Sequence, residues 1–393
     1  MMKKLQTKMN FSIKKNGLSP LLFFFTMGLI MSSQMSIAQL GTDEFTIAAD
    51  DADNYGNAWQ GNGGSGFDSW VFQSNADEGF AGNFYASNES PAISTNGNSF
   101  GTFANSGTNP RVTAFRNLTQ NLRIGDSFIV EIQHGGISDN GPNPNGSMGF
   151  TLRSGTTANA ADDYNTDSRF ELAFVGGNPD YKIFANGTTD TGVGFTSDGI
   201  RVKVTLTDLN TANVDITTLG NNSTTTITGV TLGGASDAEI QSIALFNRST
   251  QNANVYFNNL EITSKYTIPN TQSSNVTSNT TVPYLNVQSG GSLTVQAGNA
   301  LTVNGNITND DTITFESNAS GTAQLDELTG SISGSGDVTV ERFIPVQTQD
   351  TRAFRFLTST VDSNASIFDN WQEGGNSPAG FGTQITGDVN GND

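Results

Sequence analysis

Cysteine is absent from all 393 residues and histidine occurs once, at position 134. Without cysteine there is no disulfide to staple the fold and no thiolate nucleophile, so stability must come from core burial and sheet hydrogen bonding. A lone histidine leaves Ser-His and Cys-His nucleophile systems and His-rich zinc centres without support. Positive charge is scarce as well, with 18 basic against 37 acidic side chains. Such a chain has no basic patch to release counterions, which excludes nucleic acid and anionic lipid as partners. Beyond residue 38 no run is apolar enough to span a membrane, and no segment carries a long 3.6-residue apolar stripe.

The first 38 residues stand apart. They hold Lys3, Lys4, Lys8, Lys14 and Lys15 and no acid, then an apolar run from Leu21 to Ile30, then Ser36-Ile37-Ala38. That order is the pattern of a secretory signal peptide cleaved near Ala38/Gln39. The apolar run is about half of the ~20 residues that a transmembrane helix needs. The mature chain is expected to be an exported, secreted or cell-surface monomer of 355 residues, with 13 basic against 37 acidic side chains and a net charge of −24. Calcium is the counterion such a surface suits, as a structural ion.

From Phe45 to Ser264 short runs alternate in polarity. In DSFIVEIQ, Phe128, Val130 and Ile132 share one face and Glu131 and Gln133 the other; IRVKVTL sets Ile200, Val202, Val204 and Leu206 against Arg201 and Lys203. RFELAF, ANVDIT, SIALFN and NVYFNNLEI repeat the signal between Gly, Asn and Asp turns. Period two with one wet face indicates antiparallel sheets, and 26 Phe against 7 Tyr and 3 Trp supply a packed core. Residues 40–266 are therefore expected to form a jelly-roll-type β-sandwich.

Residues 267–284 are rich in Ser, Thr and Asn, and read either as a linker or as the first irregular coil of a repeat region. In LNVQSGGSLTVQAGNALTVNG a Leu-x-Val triplet then recurs every eight residues, at Leu285, Leu293 and Leu301. Eight is even, so each copy turns its apolar pair to the same side of its strand. A unit this short buries nothing by itself and must stack, which makes residues 285–345 a β-solenoid-like array of short strands. Three such sides make one triangular coil, with Ile313/Phe315 and Val338/Val340 on the coils above. From 346 to 393 the character changes again, to what reads as the start of a further module cut short.

The whole is thus all-β: a jelly-roll-type sandwich followed by solenoid-like repeats. WQGNGGSGFDSW, SFGTFANS, GSMGFTLRSG and VYFNNLEI in residues 55–263 are similar to concanavalin-like jelly-roll domains of exported bacterial proteins. GNITNDDTITFES, GSGDVTVERFIP, RAFRFLTSTV and IFDNWQEGG resemble modules of large Bacteroidetes cell-surface proteins, many of them cargo of type IX secretion. The resemblance implies export and architecture more than activity.

A glycosidase on this fold would need paired carboxylates. Laminarinase-like enzymes place three on one strand as Glu-x-Asp-x-x-Glu; neither Glu131 nor Glu171 is followed by that pattern. Carboxylates from separate strands can still meet at the ~5 Å or ~6.5–9.5 Å that retaining or inverting hydrolysis needs. Gln133-His134 is similar to the Gln-x-His segment of alginate-lyase-like sandwiches, but the Arg-rich and Tyr-containing strands of that family have no counterpart; a strand-end histidine is the simpler reading. With no recognisable catalytic motif, the chain is not expected to be an enzyme.

For ligands, Trp59 on a Gly/Asn loop is the candidate stacking ring for a sugar, with Asn57, Gln60 and Asn62 bonding hydroxyls, while Trp70 and Phe72 read as core. Asp51 and Asp53 in DDADNYG are the candidate calcium ligands, with Asp162, Asp163 and Asp167 a second oxygen-rich loop. The expected function is an adhesin-like surface protein whose sandwich binds a neutral glycan on a repeat stalk. The alternatives are a secreted polysaccharide-degrading enzyme and a purely structural surface protein.

Overall fold

The strand Ile200–Asp208 shows why the chain folds as it does: Ile200, Val202, Val204 and Leu206 are buried, while Arg201, Lys203 and Thr205 look out. In the computed structural model, which describes residues 38–75, 80–105, 109–137, 146–248 and 253–343, that alternation recurs across two antiparallel sheets. Residues 1–37 of the expected signal peptide, and all of 346–393, expected to start a further module, lie outside the described residues; Ala38 is described.

One sheet has eight strands. Its order is Ser223–Thr231, Thr211–Thr218, Ile200–Asp208, Asp126–His134, Val255–Ser264, Asn98–Asn105 and Phe80–Ser87, with Phe45–Asp50 also paired to Val255–Ser264. The other has seven, in the order Gly187–Gly194, Asp180–Ala185, Ser168–Val175, Ser147–Arg153, Ile240–Arg248, Arg111–Leu122 and Val71–Asn75. Their inner faces meet in one core where Phe128, Phe150 and Phe170 pack in series, with ring centroids 5.5 and 5.9 Å apart. Each such side chain contributes about 1.5–3 kcal/mol on burial, which lets a chain without disulfides hold this fold. The structure is a jelly-roll-type sandwich followed by a β-solenoid, as the alternation and the repeat predict.

The sandwich core also holds an ion pair. Arg116 binds the carboxylate of Asp50, with both side chains fully buried. The remaining guanidinium hydrogens go to the Asp68 carbonyl at 2.6 Å and to Asn62 Oδ1, under the rings of Phe67 and Trp70. Every charge is compensated, so the pair is tolerated rather than a source of net stability.

Beyond the sandwich the chain winds through three parallel sheets. Leu285, Leu293 and Leu301 lie on three successive sides of one coil. Leu293 sits between Ser274 below and Ile313 above, and Val338 follows on the next coil. The second column of that side runs Val276, Val295, Phe315, Val340. Residues 267–284 are the first coil, since Thr267–Ile268, Ser273–Val276 and Thr280–Val282 each pair in parallel with a strand of the next one. The eight-residue rhythm changes after Leu301: Ile307 and Ile313 stack on Leu285 and Leu293 after shorter turns, and a small inserted hairpin, Ser317–Asn318 with Gly321–Thr322, then delays Leu325, which stacks on Leu301.

Ala38–Gln39 is itself a solenoid strand, paired in parallel with the first coil at Ser274 and Asn275. From Ala38 the chain therefore runs through a solenoid strand, leaves to build the sandwich, and returns. The exit and the return lie side by side, because Phe45 pairs with Ser264. At this joint the buried Asp126 carboxylate accepts from Tyr284 Oη at 2.8 Å and from the Arg123 amide at 2.9 Å. Arg123 lies 4.0 Å over the Tyr284 ring and donates to Thr267 Oγ1. Gly125, at φ +88°, leaves room for the Tyr266 ring, which a Cβ there would meet at 2.3 Å. Desolvation raises the Asp126 carboxyl, partly offset by these donors.

Candidate functional site

Trp59 is not on the surface. It is 2% exposed, and its ring is packed among Trp70, Phe72 and Phe100 with centroids 5.2, 5.0 and 4.7 Å away. No face is left for a sugar to stack on, so the expectation that placed the ligand there is corrected. The 3-10 turn Ala52–Tyr55 and the Asn98–Asn105 strand bring Tyr55 and Phe100 over this corner. Asn57 and Gln60 remain exposed beside it. Asn62 is used internally, accepting from Arg116 and donating to the Phe67 carbonyl at 2.9 Å.

Asp51 and Asp53 are both engaged within the protein. Asp51 accepts from the Asp53 amide at 2.8 Å and so caps the turn; Asp53 accepts from Asn96 and Asn98 side chains at 2.6 and 2.8 Å. Their role is to pin the turn to the neighbouring strand. Asp163 in the second acidic loop is likewise occupied, by the Asn159 and Ala160 amides. Among the described residues no three His, Asp or Glu side chains gather as a metal site.

His134 is a core residue. Its Nδ1 accepts from the Gly136 amide at 3.0 Å, which leaves Nε2 to carry the proton to Tyr181 Oη at 2.7 Å. Burial among Phe174, Phe195 and Tyr181 lowers its pKa to about 4. On the outer face of the eight-stranded sheet, Glu131 binds Arg201 at 3.4 Å and Asn259 at 2.6 Å, and Glu261 binds the same Arg201 at 3.3 Å. These carboxylates form a surface lattice.

Two arrangements escaped the sequence. The first is a row of aromatic rings on the outer face of the eight-stranded sheet. Phe84, Gly101 and Tyr256 are in register across three strands, and Gly82 faces Phe103 in the next rank. Phe84 lies across Gly101 and Phe103 across Gly82, where added Cβ atoms would sit 2.4 and 3.0 Å from the rings. Phe84 is 6.0 Å from Tyr256, edge to face, and 6.1 Å from Phe103. All three rings keep part of their surface in water, and Phe80 on the same side is 73% exposed. Tyr256 Oη donates to Glu89 at 2.9 Å and accepts from Asn254. Rings over glycines cover an otherwise bare edge, and together they offer an apolar surface with a fixed polar tip, the combination that stacks on a sugar ring.

The second lies on the outer face of the seven-stranded sheet. Segment 154–167 crosses this face as a strap, held by Thr113 to the Ala161 carbonyl at 2.8 Å, Gln73 to the Ala158 carbonyl at 3.1 Å and Arg111 to Asp162 at 2.7 Å. Its Tyr164 packs on Phe246, centroids 4.3 Å apart, and takes a hydrogen bond from Arg248. Beside it Glu171 is only 9% exposed, and burial pushes its carboxyl up to about 7 against the pull of Arg248.

No family model matches the sequence, and a search of curated proteins finds no match. Among solved structures, a carbohydrate esterase of a Shiga toxin-encoding bacteriophage overlays 56% of this chain and 99% of its own at 14% identity, TM-score 0.34. Lectin I of Ulex europaeus, solved with the methyl glycoside of α-L-fucose, overlays 57% and 98% at 11% identity, TM-score 0.32. A legume lectin-like domain from Entamoeba histolytica overlays 49% and 88% at 11% identity, TM-score 0.31. Overlaps this loose carry neither an activity nor a ligand across to this chain.

Proposed function

We propose that this chain is an exported, cell-surface or extracellular adhesin-like protein whose sandwich binds a neutral polysaccharide and whose solenoid serves as the stalk. The observation that carries the reading is the aromatic row of Phe84, Phe103 and Tyr256 on an open sheet face. The row replaces Trp59 as the stacking surface. The strongly negative chain disfavours acidic glycans, and the row's Tyr256 holds the Glu89 carboxylate at its rim, so uncharged glucans or mannans fit best. An open surface buries less of its ligand than a closed pocket, so affinity is modest and gains from repeated sites on one polymer. The carboxylates of Glu131 and Glu261 are spent on Arg201, which favours binding over hydrolysis.

The test is affinity electrophoresis of residues 39–393 in gels containing laminarin, mannan, xylan or alginate, beside Phe84→Ala and Tyr256→Ala. Retardation by a neutral glycan that both variants lose supports the proposal. Retardation unchanged in both moves the site elsewhere, no retardation in any gel removes the lectin reading, and release of reducing sugar by the wild type makes the protein an enzyme.

A further inference from the structure

The eight-stranded sheet ends on Phe80–Ser87, which pairs with Asn98–Asn105 and with no other described strand. Its sequence, FAGNFYAS, holds no charge and no proline, and Phe80 is the most exposed large apolar side chain among the described residues. The seven-stranded sheet ends beside it on Val71–Asn75, also uncharged, with Val71 exposed. Sheet edges open to water are normally blunted by charge, proline or a bulge. The far edges of this sandwich are covered in polar groups: Gly187–Gly194 carries Asp190 on Lys182, and Ser223–Thr231 is fringed with exposed threonines.

A bare apolar edge eight residues long takes another strand, which supplies the backbone hydrogen bonds it lacks. Charge says whose strand. With 37 acidic against 18 basic side chains, copies of this chain repel one another over most of their surface, and an uncharged edge is where they touch. The edge also complements itself, because antiparallel pairing about a two-fold axis opposes like faces. With Gly82 on the axis, Phe80 and Phe84 of one copy lie opposite Phe84 and Phe80 of the other, and the glycines between them have no side chain to hold the strands apart. Cross-strand aromatic pairs of this kind stabilise sheets.

Topology gives the contact a direction. Val255 lies opposite Thr102 and Phe257 opposite Phe100, so the strand that returns to the solenoid at Ser264 runs towards the Ser87 end of the edge. Antiparallel pairing turns the two Ser87 ends, and with them the two solenoids, in opposite directions.

We infer that copies of this chain held on facing surfaces join through their Phe80–Ser87 edges into one continuous sheet, which makes the sandwich a homophilic adhesion module where the sequence suggested a monomer. The contact brings the two aromatic rows together across the axis, yet it needs no glycan and stands whether or not the rows bind one. One edge contact is small, so each pair is weak and adhesion comes from many copies on each surface.

The test uses beads carrying the mature chain, residues 39–393, tethered through its C-terminus and mixed without polysaccharide. Wild-type beads are expected to cluster. Phe80→Lys changes an exposed side chain, so it should keep the far-ultraviolet circular dichroism of the wild type while clustering falls at least tenfold. Tyr256→Ala should cluster like the wild type, which separates this contact from glycan binding. The chain has no cysteine of its own, so Ala81→Cys combined with Asn83→Cys, positions that this register opposes across the axis, should give covalent dimers on oxidation. Failure of wild-type beads to cluster, clustering that Phe80→Lys leaves unchanged, clustering only after polysaccharide is added, or a double-cysteine chain that stays monomeric on oxidation would each overturn the inference.

Discussion

Gly101 lies directly under the ring of Phe84, which a Cβ at residue 101 would meet at 2.4 Å. The open face of the row depends on that missing side chain. Gly101→Ala is expected to tilt the ring off the sheet and to cost about 1–3 kcal/mol, as overpacking does. Retardation by the glycan that binds the wild type should fall as far as in Phe84→Ala, while far-ultraviolet circular dichroism keeps its strand signal. A variant that binds like the wild type would show that the ring's seat is unimportant.

The joint makes the second prediction. Tyr284→Phe removes one of the donors to the buried Asp126 and should cost about 1–3 kcal/mol, felt by both parts of the molecule. Calorimetry should resolve the wild-type unfolding into fewer or closer transitions than that of the variant, where sandwich and solenoid come apart in temperature. Identical thermograms would mean that the two parts are not coupled through this contact.

Within the solenoid, Leu293→Asp places a carboxylate between coils, where it costs several kcal/mol without a partner. Coils touch mainly their neighbours, so the damage stays local. Limited proteolysis should cut the variant between 267 and 343 and leave the sandwich intact. Loss of both parts at once would show that the sandwich needs the stalk in order to fold.

Two buried groups titrate in opposite senses. His134, held at about 4, contributes stability that is present above its ordinary 6.5 and is lost as pH falls towards 4. Glu171, held at about 7, contributes stability that is present below its ordinary 4.5 and is lost as pH rises towards 7. Each effect is on the order of 3 kcal/mol. Between pH 4.5 and 6.5 they oppose, so removing one exposes the other. Relative to the wild type, Glu171→Gln should lose stability on acidification through that range, and His134→Gln should lose it as pH rises. Urea denaturation at a series of pH values measures both slopes; equal slopes in the three proteins would contradict the assignment.

Strands and coils were legible because their signals are local: Ile200, Val202 and Val204 alternate within one short strand, and Leu285, Leu293 and Leu301 repeat within a single coil's length of chain. The sites were not, because burial is decided by distant segments. Trp59 sits among glycines and asparagines like a surface residue, and Trp70, Phe72 and Phe100, all later in the chain, close over it. In FAGNFYAS, Phe84 and Tyr85 point to opposite faces, and nothing in that stretch tells which face is wet; the glycines at 82 and 101, each opposite a Phe, are the clue that could have been used. RFELAF already places Glu171 away from Phe170 and Leu172. What encloses it is the strap, whose Tyr164 belongs to a loop that reads as ordinary acidic turn.

Phe45 and Ser264, the ends of the sandwich, are paired to each other, while Ala38 is laced into the first coil beside Ser274. Tension applied between that first strand and the far coils therefore runs along the solenoid ladders, and the sandwich hangs to one side of the load path. Force on the sandwich reaches the solenoid through the paired exit and return and the Asp126–Tyr284 contact beside them, so the two sandwich sheets need not stretch when the solenoid is pulled.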